Sequence, residues 1–178
     1  MNLLPGALSA SLQPPRQCVY PAANETHIAS NKGENDMETS ARNTFWGTIS
    51  AVRPGAVNDE IELTMPSGTK LVASITKAST ERLGLAEGKE ACALVKASMV
   101  ILMNDADQYI LSTRNQFCGT VKSVTPGAVN GEVVVDLGAD GEMTSIITMG
   151  SISKLGLAEG SKVTAIVKAT SVIMAVKK

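Results

Sequence analysis

Aromatic residues are almost absent from this chain: they make up 3% of 178 residues. A barrel that grips single-stranded nucleic acid needs stacking platforms and a basic groove. Phe45, Trp46, Tyr109 and Phe117 are too few for the first. A formal net charge of −1 argues against the second. Histidine occurs once, at His27, and cysteine three times, at Cys18, Cys92 and Cys118, with no CxxC spacing. That leaves no zinc constellation, and an odd cysteine count reads as structural thiols in a reducing, cytoplasmic setting. No apolar run reaches the roughly 18–20 residues of a membrane span. What is present is a 44% apolar fraction, enough for packed cores of Val, Ile, Leu, Met and Ala.

The first 36 residues carry Pro, Ser, Asn and Ala without periodicity. Met1–Leu12 lacks the early basic charge and the continuous apolar stretch of an export signal. Residues 1–36 are expected to be a disordered tail or to reflect a mis-assigned start, with organised sequence beginning at Met37.

From Ser40 onward the sequence repeats itself. Ser40-Ala41-Arg42-Asn43 returns as Ser112-Thr113-Arg114-Asn115, and Pro54-Gly55-Ala56-Val57-Asn58 returns as Pro126-Gly127-Ala128-Val129-Asn130. Leu83–Gly88 returns as Leu155–Gly160, and Val95-Lys96-Ala97-Ser98 as Val167-Lys168-Ala169-Thr170. Every pair is 72 residues apart, without a gap. This is a tandem duplication, with a first domain over 37–105, a second over 110–178, and the polar Asn104–Gln108 as linker. Each unit reads as five short strands: Thr44–Val52, Val57–Met65, Leu71–Thr76, Glu90–Lys96 and Met99–Met103. One helical turn over Ser79–Leu83 is expected, with Ser79 as N-cap and Gly84 as stop. The fold class is all-β: two tandem small OB-like barrels, each able to close its own core.

Duplication supplies an internal comparison. Among the polar residues kept in both copies are Ser40/Ser112, Arg42/Arg114, Asn43/Asn115, Asn58/Asn130, Glu60/Glu132, Thr76/Thr148, Ser79/Ser151, Glu87/Glu159 and Lys96/Lys168. Ser98 becomes Thr170, which keeps the hydroxyl. No His, Cys or Asp is in this set. No nucleophile–base pair can be assembled from it, so the chain is not expected to be an enzyme. Asn58 and Glu60 are assigned to the hairpin after Pro54-Gly55. The remainder is rich in donors. One Arg and one Lys balance a tetrahedral dianion, and hydroxyls and backbone N–H groups can satisfy its oxygens. Unpaired N–H groups at the start of the Ser79 turn offer a further anion seat.

Ser-Ala-Arg-Asn, Gly-Ala-Val-Asn, Thr-x-x-Ser, Leu-Gly-Leu and Val-Lys-Ala-Ser-x-Val, in this order and spacing, together resemble the molbindin (Mop) domain. The tandem pair resembles the di-Mop molybdate-binding proteins, over Met37–Lys178. That resemblance implies an OB-like (Mop/TOBE-like) barrel, a ring of six domains that a tandem chain forms as a homotrimer, and molybdate at interfaces between domains. The ligand it implies is molybdate, with tungstate possible, bound as an oxyanion and not as a bare metal cation. By matching motif, the first copy offers Ser40, Ala41, Arg42, Asn43, Thr76, Ser79, Lys96, Ala97 and Ser98. The second offers Ser112, Thr113, Arg114, Asn115, Thr148, Ser151, Lys168, Ala169 and Thr170. Thr113 departs from the usual Ala, and Thr170 from the usual Ser. The implied role is intracellular storage, buffering and homeostasis of molybdenum. The alternative is a molybdate-sensing accessory protein that acts through a protein partner in uptake or regulation. No helix-turn-helix or Walker phosphate loop is present, and neither a nucleic-acid nor a membrane partner is expected.

Overall fold

The computed structural model describes residues 37–178. The expectations for residues 1–36, with Cys18 and His27, lie outside them. The first half carries β1 (Asn43–Arg53), β2 (Asn58–Thr64), β3 (Lys70–Thr76), α1 (Lys77–Leu83), β4 (Glu90–Val95) and β5 (Val100–Met103). The second half repeats the series as β6 (Asn115–Thr125), β7 (Asn130–Asp136), β8 (Glu142–Thr148), α2 (Met149–Leu155), β9 (Lys162–Val167) and β10 (Val172–Ala175). The expected strands are therefore present, each within about two residues of its expected bounds.

The connection differs from the expectation of two self-contained barrels. One sheet runs β10-β4-β1-β2-β3 and the other β5-β9-β6-β7-β8. The last strand of each half has crossed to the other. Val100–Met103 pairs antiparallel with β9, and Val172–Ala175 with β4. The exchange follows from the short 3-10 turns at Ala97–Met99 and Ala169–Ser171, which are flanked by extended residues and carry the chain away from the strand it has just left. The edge strands β10 and β3 then lie side by side, as do β5 and β8, so each sheet curls into a nearly closed barrel.

A strand that crosses takes its apolar side chains with it. Val100 and Leu102 are buried in one barrel, Val172 and Met174 in the other, and a single hydrophobic cluster runs through both halves. Fully burying a side chain of this size contributes about 1.5–3 kcal/mol, so the exchange locks the halves together. Phe45 and Phe117, which occupy equivalent repeat positions, stack on each other with ring centroids 6.4 Å apart. Contact between equivalent residues places the pseudo-twofold axis of the duplication at this pair.

The long first strands bend to serve a barrel. The register of β1 against β2 slips between Ile49 and Ala51, and that of β6 against β7 between Val121 and Ser123. One extra residue at each point is a β-bulge, which sharpens the local twist. Gly47 and Gly119 sit just before these bulges. A Cβ there would come within 2.4 Å of the Thr64 carbonyl oxygen and 2.5 Å of that of Asp136, so only glycine allows the strands this close.

The linker is more than a polar tether. Asp105 adopts a left-handed backbone, Ala106 is buried, and the Asn104 amide donates to the Leu155 carbonyl at the end of α2.

Candidate oxyanion-binding site

The helical turn begins two residues earlier than expected, and its N-cap is Thr76, not Ser79. The Thr76 hydroxyl accepts from the Ser79 N–H at 3.2 Å, and Thr148 does the same for Ser151. The Thr and Ser hydroxyls of each pair also bond each other at 2.9 Å. The anion seat expected at the Ser79 N–H is thus already occupied by the capping hydroxyl. Gly84 and Gly156 end the helices in left-handed geometry, as expected.

The two asparagines of the repeated Ser-x-Arg-Asn segment are structural. Asn43 is 1% exposed and Asn115 is fully buried. The Asn43 amide donates to the Thr144 carbonyl at 2.8 Å and accepts from the Thr144 N–H at 2.7 Å. Asn115 makes the same two bonds to Val72, both at 2.7 Å. Thr144 and Val72 lie on β8 and β3, the edge strands of the opposite half. Each side-chain amide acts as one further residue of strand on an edge that would otherwise expose its polar groups. Both amides are buried and bonded through oxygen and nitrogen alike, so neither side chain is open to a ligand.

The cations remain at the surface. Arg42 lies at the mouth of β1, and the register Asn43↔Val95, continued by one residue, sets Lys96 across from it. Arg114 and Lys168 follow the same geometry through Asn115↔Val167. Lys96, Ser98, Lys168 and Thr170 are exposed, while Ala97 is buried and Ala169 half-buried. Ser40 and Ser112 are exposed, and Ala41 and Thr113 are half-buried. The Thr113 hydroxyl is turned inward: it donates to the Val167 carbonyl at 2.8 Å. The Thr that replaces Ala in the second copy therefore fastens the segment to β9 and adds no free donor.

Each donor cluster draws on both halves. The 97–99 turn packs against β8, and the 169–171 turn against β3. Arg42 forms an ion pair with Glu132 on β7, and Arg114 with Glu60 on β2. Glu132 faces Ile146, two residues before Thr148 on β8. Two strand residues span roughly 7 Å, which brings the Thr148–Ser151 pair within reach of the Arg42 cluster. The Arg42 ion pair thus lies toward the Thr-x-x-Ser of the opposite copy, and the Arg114 pair toward Thr76 and Ser79.

The repeated glutamates lie in the hairpins as expected, and they are also the partners of the arginines. Their persistence in both copies, with a charge opposite to that of the repeated arginines, was the available signal. Around Glu60 the first half carries further charges that the second half lacks. Arg53 reaches Glu60 at 3.0 Å and Glu62 at 3.4 Å, and Lys70 reaches Glu62 at 2.7 Å. Positions 125, 134 and 142, which match Arg53, Glu62 and Lys70, hold Thr, Val and Glu.

The Lys70 ammonium bonded to Glu62 holds that carboxyl below its ordinary value of 4.5, against the opposing effect of burial and with help from the Ser50 hydroxyl. A depressed carboxylate stabilises the fold fully above its unfolded pKa. The contribution disappears as pH falls through the lowered folded value, below 4.5. Glu62→Gln is accordingly expected to flatten the acid limb of the urea midpoint plotted against pH. A variant whose acid limb parallels that of the parent would show that Glu62 contributes nothing there.

Of the cysteines expected to be structural thiols, Cys92 is a buried free thiol whose pKa burial pushes up to about 11, which makes it inert as a nucleophile. Cys118 is instead disulfide-bonded. Among the described residues, no group of three or more His, Cys, Asp or Glu side chains comes together as a metal site, and no helix is long and apolar enough to cross a membrane.

Two small interlocked barrels, each with a capped helical turn between its third and fourth strands, define the class. The TOBE domain family model matches residues 39–102 and 111–174, and the chain belongs to that family. Among solved structures it is similar to that of the cytoplasmic molybdate-binding protein ModG with molybdate bound. The identity is 46%, the TM-score is 0.77, and the match covers 79% of this chain and all of the other. Two curated relatives are the molybdenum-pterin-binding protein MopA of Rhodobacter capsulatus, 45% identical over 78% of this chain and 52% of its own length, and the molybdenum transport protein ModE of Herbaspirillum seropedicae, 42% identical over 80% and 53%. The chain spans about half the length of these curated relatives.

Proposed function

We propose that this protein binds molybdate reversibly, without transforming it, and serves in the cytoplasm to store and buffer molybdenum. The observation that carries this reading is the likeness, over 79% of this chain and all of the other, to a structure holding molybdate. It agrees with exposed Arg–Lys pairs that recur in both copies beside hydroxyl donors. The ligand is the tetrahedral oxyanion, and tungstate, of nearly the same size and charge, is accepted as well. The sites use Ser40, Arg42, Lys96 and Ser98 together with Thr148 and Ser151, and Ser112, Arg114, Lys168 and Thr170 together with Thr76 and Ser79. Backbone N–H groups of Ala97 and Ala169 complete them, since those of Ala41 and Asn115 already donate to the Thr39 and Thr113 hydroxyls. The sites lie where domains meet, in a homotrimer of six domains.

A dianion removed from water needs charge-assisted hydrogen bonds, each contributing about 1.5–3 kcal/mol. Combining Arg42→Ala with Arg114→Ala is therefore expected to weaken molybdate binding by roughly tenfold or more in calorimetry. An unchanged affinity would remove the arginines from the site. Discrimination against sulfate follows from size. Calorimetric titration with molybdate in the presence of excess sulfate tests the reading. Retained tight binding supports it, and sulfate affinity within about threefold of molybdate contradicts it.

A second reading, a molybdate-responsive accessory in uptake or regulation, is favoured by the 42% identity to a molybdenum transport protein over about half of that protein's length. Molybdate-dependent retention of a partner by the full chain would favour this role over storage.

A further inference from the structure

The arginines offered to the oxyanion already hold an anion of the protein's own. Arg42 pairs with Glu132 and Arg114 with Glu60, each across the boundary between the halves. The two glutamates are repeat equivalents, half-buried, and fixed on strands that face the edge strands β8 and β3. We infer that Glu60 and Glu132 are the internal counter-anions of the two oxyanion sites, and that the charges around Glu60 make those sites unequal. The inference rests on the proposal that the sites bind molybdate.

An arriving dianion must share or take a guanidinium that a carboxylate occupies, and it is repelled by that carboxylate meanwhile. The glutamate thus keeps the free protein from presenting a bare cation, and it lowers the affinity for every anion. The factor is the same for every dianion, so one that binds weakly, such as sulfate, falls below the concentration range in which it occupies the site.

The inequality follows from the charge count. Around Arg42 there are one guanidinium and one carboxylate, and the neighbouring Lys122 faces both Glu142 and Asp136, which leaves that side one negative charge in excess. Around Arg114 there are Arg53, Arg114 and Lys70 against Asp59, Glu60 and Glu62, so cations and carboxylates balance there. Glu60 is shared between two guanidiniums, so it holds Arg114 less firmly than Glu132 holds Arg42. The Arg114 site is therefore the tighter one. Arg53 belongs to neither donor cluster, and it acts by drawing the carboxylate away.

Calorimetric titration of the full chain with sodium molybdate tests this at low and high salt. Two affinity classes are expected in the parent. Glu132→Gln should tighten the weaker class by roughly fivefold, the upper end for an exposed ion pair, and leave the tighter class in place. Arg53→Ala should weaken the tighter class toward the other. Both effects should shrink at high salt, which a purely structural role would not produce. Because Arg53 is exposed, its variant keeps the test sharp even if Glu132→Gln disturbs folding. Binding in a single class, or Glu132→Gln weakening or not altering binding in a folded protein, overturns the inference alone. No molybdate uptake by the parent overturns the functional proposal and this inference with it.

Discussion

Asn43→Ala combined with Asn115→Ala should remove most of the stability of the folded chain. Each substitution deletes two hydrogen bonds and leaves a backbone N–H and a carbonyl without partners, at Thr144 or at Val72. An unsatisfied buried polar group costs about 1–3 kcal/mol, so each change is expected to cost about 2–4 kcal/mol. Against a total of about 5–15 kcal/mol for a typical domain, the pair leaves little. Asn43→Asp separates hydrogen bonding from volume, since its second oxygen would face the Thr144 carbonyl with no proton to share. It should be about as damaging as the alanine. Urea unfolding reads both variants, and a double variant within about 1 kcal/mol of the parent would show that the amides do not hold the edge strands.

The second large effect comes from separating the halves. Residues 37–105 contain β1–β5, but in the intact chain the place beside β4 is filled by β10 of the other half. A first half expressed alone has no β10 to receive. Its own β5, directed outward by the 97–99 turn, can fill the same place only in a second copy. The expected product is a dimer joined by mutual exchange of Val100–Met103, with a mass twice that of the fragment and a stability that rises with concentration. A fragment that stays monomeric and unfolds at a concentration-independent midpoint would mean that β5 folds back onto its own β4, and that the exchange is not required.

The strands were legible because their apolar residues alternate and because Pro54-Gly55 and Gly84 mark the turns. Their partners were not legible. β5 and β10 both begin Val-Ile, and both follow Val-Lys-Ala, so each matches either barrel equally well. The choice is made by the backbone of a three-residue turn, which leaves no composition signal. Asn43 and Asn115 stand out as duplicated, but their partners are backbone groups, which any residue other than proline at 144 or 72 would supply. Duplication therefore marked them without distinguishing a ligand donor from a strand clasp. Thr76 against Ser79 as the helix cap is a choice between two hydroxyls three residues apart, which the alternation of β3 alone does not settle. The arginine–glutamate pairs span 90 residues in one case and 54 in the other. Only the exchange of strands brings them together.

Native mass spectrometry of the full chain with and without molybdate tests the central claim most directly, because it counts subunits and bound ions in one spectrum. The account predicts a trimer that takes up more than one molybdate per chain and loses them when Arg42 and Arg114 are both replaced by alanine. A correctly folded assembly whose mass does not change in excess molybdate would contradict it.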